Sequence, residues 1–170
     1  FAPVRHHHLP RDTEQTFTMT LPPAIPELVC RSAFSFQEGA SRPAELVARA
    51  AELGLGALAI TDRDGVYGLP RAHRETMAQA EAGRPIRLIS GALLTVRSGP
   101  GLALLVHNQR GWSHLCRLIT LARCAGALPS GSGETPHGRP GLEKGRGRVH
   151  IDEILERSSG LEAILLGEWE

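Results

Sequence analysis

The chain has 170 residues, with 19 Lys and Arg against 18 Asp and Glu, a formal charge of +1 and 41% hydrophobic residues. That length fits one domain, and the charge balance excludes both a polybasic nucleic-acid binder and an acidic tail protein. Only four Phe, two Trp and one Tyr are present beside 19 Gly and 12 Pro, so the core must come from Leu, Ala, Val and Ile.

In chain order, residues 1–25 carry Pro3, Pro10, Pro22 and Pro23 among polar residues without a period of 2 or 3.6, and read as a mobile tail. His6, His7 and His8 lack a scaffold that would fix ligand geometry. Arg5 and these histidines are followed by no apolar h-region, so no secretory signal is expected. A partial domain is expected over 26–167, with 168–170 as the chain end. Ile25 to Cys30 reads as a first strand. Ser41 and Pro43 open a helix with Leu46, Ala50 and Leu53 on one face, and Gly54 sits where a left-handed C′ residue belongs. Ala57–Thr61 is a second buried strand, ending in the turn Asp62-Arg63-Asp64-Gly65.

A helix over Pro70–Ala82 closes at Gly83. Ile86–Ser90, Leu93–Val96 and Leu102–Val106 read as three strands, the last two joined by a hairpin loop at Ser98-Gly99-Pro100-Gly101. Gly111 to Ala125 is the clearest amphipathic helix, with Trp112, Leu115, Ile119 and Ala122 along one stripe. Residues 126–149, rich in Gly and Pro, read as a flexible insertion. A short helix at Ile151–Arg157 and a strand at Leu161–Leu166 follow. Strands alternating with helices predict an α/β layout with a mainly parallel sheet. No run approaches the roughly 18 apolar residues of a membrane span. Cys30, Cys116 and Cys124 lack both even number and Cys-x-x-Cys spacing, which suits a reducing cytoplasm.

Ligand sites of such sheets lie at the carboxyl ends of strands. These are Val29-Cys30-Arg31-Ser32, Thr61-Asp62-Arg63-Asp64 and Ser90-Gly91-Ala92-Leu93. Glu27 to Ala40 (ELVCRSAFSFQEGA) resembles the opening motif of the polymerase and histidinol phosphatase (PHP) domain, which reads E-L-H-x-H-S-x-F-S-F-L-x-G-A. That version belongs to bacterial DNA polymerase III alpha subunits and their error-prone relatives. Ala59 to Gly68 resembles the second motif, T-D-H-D-G-L-Y-G, and Arg87 to Leu93 a third, in which a glutamate follows G-x. Leu104 to Thr120 is similar to L-L-A-x-N-x-x-G-Y…L-C-R-L-I-T. The resemblance runs over about 25–166 and favours the error-prone branch. It implies an incomplete, distorted (β/α)7 barrel of PHP type.

Active members of that family use these histidines and the glutamate to help hold two or three metal ions, zinc or manganese, that activate water against a phosphoester. Imidazole and carboxylate suit the task because they present lone pairs to a divalent cation at about 2.0–2.2 Å. Here the matching positions are Val29, Arg31, Arg63 and Leu93. Two have no donor atom and two are permanently cationic. Glu38, Asp62 and Asp64 remain as residual candidates, expected to serve as ion-pair and loop-capping partners while the arginines replace the metals' positive charge. Neither a cofactor nor the magnesium site of a polymerase palm is expected in this chain.

Other candidates read as packing or surface residues. Cys30 lies between two lost ligand positions but points away from them by strand alternation. Cys116 and Cys124 sit on the long helix, and His73 lacks an orienting partner. His107, His114, His137 and His150 lack ligand spacing, and Trp112 reads as a core anchor. The resemblance therefore implies a supporting module of an error-prone polymerase, with the rest of a polymerase chain or other replication and repair proteins as partners, and DNA only indirectly. The alternatives are a metal-dependent phosphoesterase or exonuclease using Glu38, Asp62 and Asp64, and a small nucleic-acid-binding adaptor using Arg31, Arg63 and the cations of 126–149. A barrel without its last strands would also leave two open edges and favour self-association.

Overall fold

A computed structural model describes residues 25–97, 99–124 and 148–167. The tail expected over 1–25 and the insertion expected over 126–149 fall almost wholly outside them, as do 168–170, His6, His7, His8 and His137. The elements run β1 (Glu27–Cys30), α1 (Pro43–Glu52), β2 (Ala57–Ile60), α2 (Leu69–Glu81), β3 (Arg87–Leu94), β4 (Leu102–Val106), α3 (Gln109–Cys124), α4 (Ile151–Leu155) and β5 (Leu161–Leu165). They form an α/β fold around one sheet of order β1-β2-β3-β4-β5.

The sheet is mixed, which corrects the mainly parallel expectation. β1 pairs with β2 and β2 with β3 in parallel, whereas β3–β4 and β4–β5 are antiparallel. The short link between β3 and β4 admits only a hairpin. Between β4 and β5 the chain makes two passes, α3 and then 148–160. Leu161 consequently pairs with Val106, where β4 ends. Ile86–Ser90 and Leu93–Val96, expected as separate strands, are bridged by one long strand, β3, which takes in Arg87–Ser90 of the first and Leu93-Leu94 of the second. Its first half pairs with β2 and its second half with β4.

Two apolar clusters hold the layers. Val47 and Ala50 of α1, Leu58 and Ile60 of β2, and Leu69 and Ala72 of α2 form the first, with Ile86. The buried stripe of α1 is Pro43, Val47 and Ala50, one residue round from the expected Leu46, Ala50 and Leu53; Leu53 is the exposed C-cap. Arg42, rather than Ser41, takes the N-cap position, and its backbone N–H donates to Glu45 at N3 (2.8 Å). Gly54 and Gly83 end α1 and α2 with φ of 71° and 75°.

The second cluster joins Ala92, Leu94 and Leu104 of the sheet to Leu115, Leu118 and Ala122 of α3, with Val149 and Ile154. Val149 lies at the expected end of the insertion, yet it is fully buried and exchanges backbone hydrogen bonds with Thr95 and Arg97. Leu93, Ala103 and Leu105 alternate with the residues of this cluster, face the other side of the sheet and are buried too. Among the described residues no helix is long and apolar enough to cross a membrane.

Candidate functional site

Two strand ends and one loop build the site. β1 and β2 run parallel, so their carboxyl ends deliver Arg31-Ser32 and Thr61-Asp62-Arg63-Asp64 to the same edge of the sheet. Ser90-Gly91-Ala92-Leu93 follows no strand end; it lies within β3. Leu93 nevertheless joins the edge. Its N–H donates to the Asp62 carbonyl (3.1 Å), its carbonyl accepts from Asp64 N–H (2.8 Å), and Arg63 bridges to it in parallel.

Asp62 is 1% exposed and organises the turn after β1. The Ser32 backbone N–H (2.7 Å), the Ser32 hydroxyl (2.8 Å) and the Ser35 hydroxyl (2.8 Å) all donate to its carboxylate. Ser35 Oγ in turn accepts from the Arg63 backbone N–H (3.0 Å), which ties the two loops together. Gly68 supplies the room: a Cβ there would stand 2.6 Å from the Asp62 carboxylate. Asp64 takes a left-handed φ of 48°. Its carboxylate accepts from both the backbone N–H and the hydroxyl of Thr95 (2.8 Å each).

Glu38 sits between the two arginines. Its carboxylate accepts from Arg31 at 2.9 Å and, on its other oxygen, from Arg63 Nε. Arg63 also reaches Thr95 Oγ1 (3.3 Å). The three side chains are a quarter to two-fifths exposed, a position where water screens isolated ion pairs. Two guanidinium groups on one carboxylate leave the cluster with net positive charge. Every residual carboxylate is thus engaged: Asp62 by serines, Asp64 by Thr95, and Glu38 by arginines. Among the described residues no three His, Cys, Asp or Glu side chains gather in a group that could hold a metal ion.

The remaining candidates are scattered. His73 and His107 are exposed, His114 Nδ1 lies 3.0 Å from the Ser159 carbonyl, and His150 Nε2 lies 3.1 Å from Arg97. Trp112 packs half-buried against the first cluster. Asn108, in the fourth of the quoted motifs, caps α3: its side-chain oxygen accepts from Gly111 N–H (3.0 Å). Ser35, Thr95 and Gly68 were not among the sequence candidates, and Ser32 entered only as the last residue of a strand-end stretch. The serines stand in the first motif and Gly68 in the second, but Thr95 lies in none of them.

Cys30 lies half-buried between Val29 and Arg31. Burial, with the Glu27 and Asp62 carboxylates adding to it, pushes its thiol from an ordinary 9.0 up to about 11. Burial raises the Cys116 thiol as well. A raised thiol pKa favours the protonated folded state. That contribution is complete below pH 9.0 and is lost as the pH climbs from 9.0 through about 11. At pH 8 the shift leaves on the order of 100-fold less thiolate than an ordinary cysteine carries. Iodoacetamide is therefore expected to label Cys30 in the folded chain far more slowly than in urea. Equal rates in the two states, followed by peptide mapping, would contradict the burial.

Comparison with known proteins adds the context of this site. Residues 27–166 match the family model described as PHP domain. The chain is similar to an error-prone DNA polymerase of Anaeromyxobacter sp. (strain K), 51% identical over 111 residues, which cover 62% of this chain and 9% of that protein. A second, from Anaeromyxobacter dehalogenans (strain 2CP-C), is 43% identical over 154 residues, covering 88% and 12%. The error-prone DNA polymerase of Pseudomonas aeruginosa is 39% identical over 143 residues, covering 84% and 12%. The chain thus spans about a tenth of the length of these relatives. Among solved structures, an amidohydrolase from Chromobacterium violaceum is 29% identical with a TM-score of 0.45, over 58% of this chain and 33% of that one.

Proposed function

Because this chain belongs to the PHP domain family, we propose that it is the N-terminal supporting module of an error-prone DNA polymerase of the polymerase III alpha type. In it, an arginine–glutamate network has taken the place of the family's metal site. The observation that carries this reading is Glu38 held between Arg31 and Arg63. Zinc or manganese requires lone-pair donors, and the positions that supply them in active relatives are here two aliphatic side chains and two guanidinium groups. The carboxylates left nearby already accept hydrogen bonds from fixed donors. The residues present do not fit a divalent-metal cluster.

The network does mechanical work instead. The charge-assisted bond from Arg63 to Glu38 holds the loop after β2 against the loop after β1, within which Arg31 steadies Glu38, and Asp62 fixes both from beneath. The same loops, pinned by metal ions in an active member, are pinned here by side chains. The module then sits beside the rest of a polymerase chain, in a reducing cytoplasm.

Elemental analysis after incubation with zinc or manganese tests the metal-free reading, together with hydrolysis of a p-nitrophenyl phosphodiester in added manganese. Well under one equivalent of metal and no hydrolysis above buffer are expected. Two or more tightly held ions, or turnover abolished by EDTA, would instead support a phosphoesterase using Glu38, Asp62 and Asp64. The supporting role is tested by adding the chain to an error-prone polymerase lacking its own PHP module. A raised melting temperature of that polymerase is expected, and an unchanged one counts against the role.

A further inference from the structure

Four aromatic side chains lie among the described residues, and only Trp112 packs inward. Phe34, Tyr67 and Phe36 are 38%, 57% and 86% exposed, and all three stand on the loops that follow β1 and β2. Two of them form part of a row. The Arg71 guanidinium lies 5.2 Å from the centre of the Phe34 ring. Phe34 and Tyr67 have centroids 6.5 Å apart and planes tilted by 36°. The Arg123 guanidinium lies 5.4 Å from the centre of Tyr67, steadied by its Nε donating to the Asp64 carbonyl (2.8 Å). The sequence is cation, ring, ring, cation. Arg31 and Arg63 issue from the same two loops, with Glu38 shared between their charges.

Exposed aromatic rings side by side are unfavourable in water unless something covers them, and these belong to neither apolar cluster. We propose that the row binds single-stranded nucleic acid, bases stacking on Phe34 and Tyr67 while the guanidinium groups take the flanking phosphates. Rings offer a flat face that any unpaired base can use, and arginine adds both charge and its own plane. A duplex hides its base faces in its own stack. Its bases also rise only about 3.4 Å apart, about half the spacing of the two rings, which suits a stretched strand. Overall charge of only +1 gives no general attraction to a polyanion, so binding must come from this local row. The proposal rests on the metal-free reading only in that the strand is held without being cut.

Fluorescence anisotropy of a labelled oligo(dT) of about 12 nucleotides, titrated with the 170-residue chain, tests it. Binding is expected to weaken roughly twentyfold between about 50 and 200 mM salt, the effect of about three neutralised phosphates. Phe34→Ala and Tyr67→Ala are each expected to weaken it on the order of tenfold at unchanged melting temperature. Tyr67→Phe retains it, and Arg71→Gln flattens the salt dependence. An abasic oligonucleotide of the same length should bind much more weakly. Equal affinity for the abasic strand, or ring variants that bind as the parent does, overturns the proposal. So does the absence of DNA binding together with self-association that Phe34→Ala abolishes, which would make the row a protein contact. Binding with the oligonucleotide recovered intact supports both readings; binding with cleavage supports this one and overturns the metal-free site.

Discussion

Gly111→Ala is expected to destabilise the fold by about 3 kcal/mol or more, although helix propensity alone argues for the opposite sign. Gly111 lies in the first turn of α3, where alanine would ordinarily stabilise by about 1 kcal/mol. A Cβ at this position, however, would fall 1.7 Å from the Gly160 carbonyl oxygen and 2.5 Å from its carbon. Backbone on both sides cannot swing away as a flexible side chain would, so α3 and the entry to β5 must separate. Overpacking costs of about 1–3 kcal/mol, and occasionally more, set the scale. Gly160 is itself committed: it has φ of 81°, and its carbonyl accepts from His107 N–H (3.0 Å).

For a chain of this size, a loss of 3 kcal/mol corresponds to a fall in melting temperature of about 6–12 °C. Gly56→Ala is the control, since a Cβ there meets nothing within 4 Å and its φ is not positive. It should stay within about 0.5 kcal/mol of the parent. Circular-dichroism melts that show the two variants alike would refute the close approach of α3 and β5.

Asp62→Ala is expected to cost about 3 kcal/mol. The substitution removes an acceptor shared by three buried donors. The two hydroxyls can rotate toward other acceptors, but the Ser32 backbone N–H is fixed and would be left without a partner. Asp62→Asn keeps the shape and one acceptor oxygen and should lose about half as much. Hydrogen exchange localises the effect: the amides of Ser32 and Ser35 should lose protection first, because the turn is what Asp62 holds. The loss should be the same with and without EDTA, since the partners of Asp62 are serines. A penalty seen only in metal-supplemented buffer would restore Asp62 to the role of a ligand.

The periodic segments of the sequence were its most legible part. β2 is a short run of apolar residues with a turn behind it. Gly54 and Gly83 mark helix ends because only glycine takes their backbone angles without strain. The buried face of α1 was less legible, for Leu46 and Val47 are both apolar and adjacent. Which of them turns inward depends on where α2 lies. The direction of β5 was hidden as well. Hydrophobic alternation is the same whichever way a strand runs, and the return pass through 148–160 reverses β5.

The site divides in the same way. That Val29 and Leu93 carry no donor atom and that Arg31 and Arg63 are cationic can be read directly, because donor chemistry belongs to the residue type. What the remaining groups do instead required the fold. Thr95 reaches Asp64 across 31 residues of sequence, and no local pattern encodes such a contact. The row from Arg71 to Arg123 draws on two loops and two helices, none of which reads as a binding segment alone.

The sequence by itself determined the α/β class, the glycine-ended helices and the lack of metal-donor chemistry at Val29, Arg31, Arg63 and Leu93, since each follows from local periodicity, backbone freedom or donor atoms. Only the tertiary structure decided the mixed sheet, the sharing of Glu38 between two arginines and the exposure of Phe34 beside Tyr67. Pairing direction, ion partners and ring exposure depend on which distant segments the sheet brings to one edge.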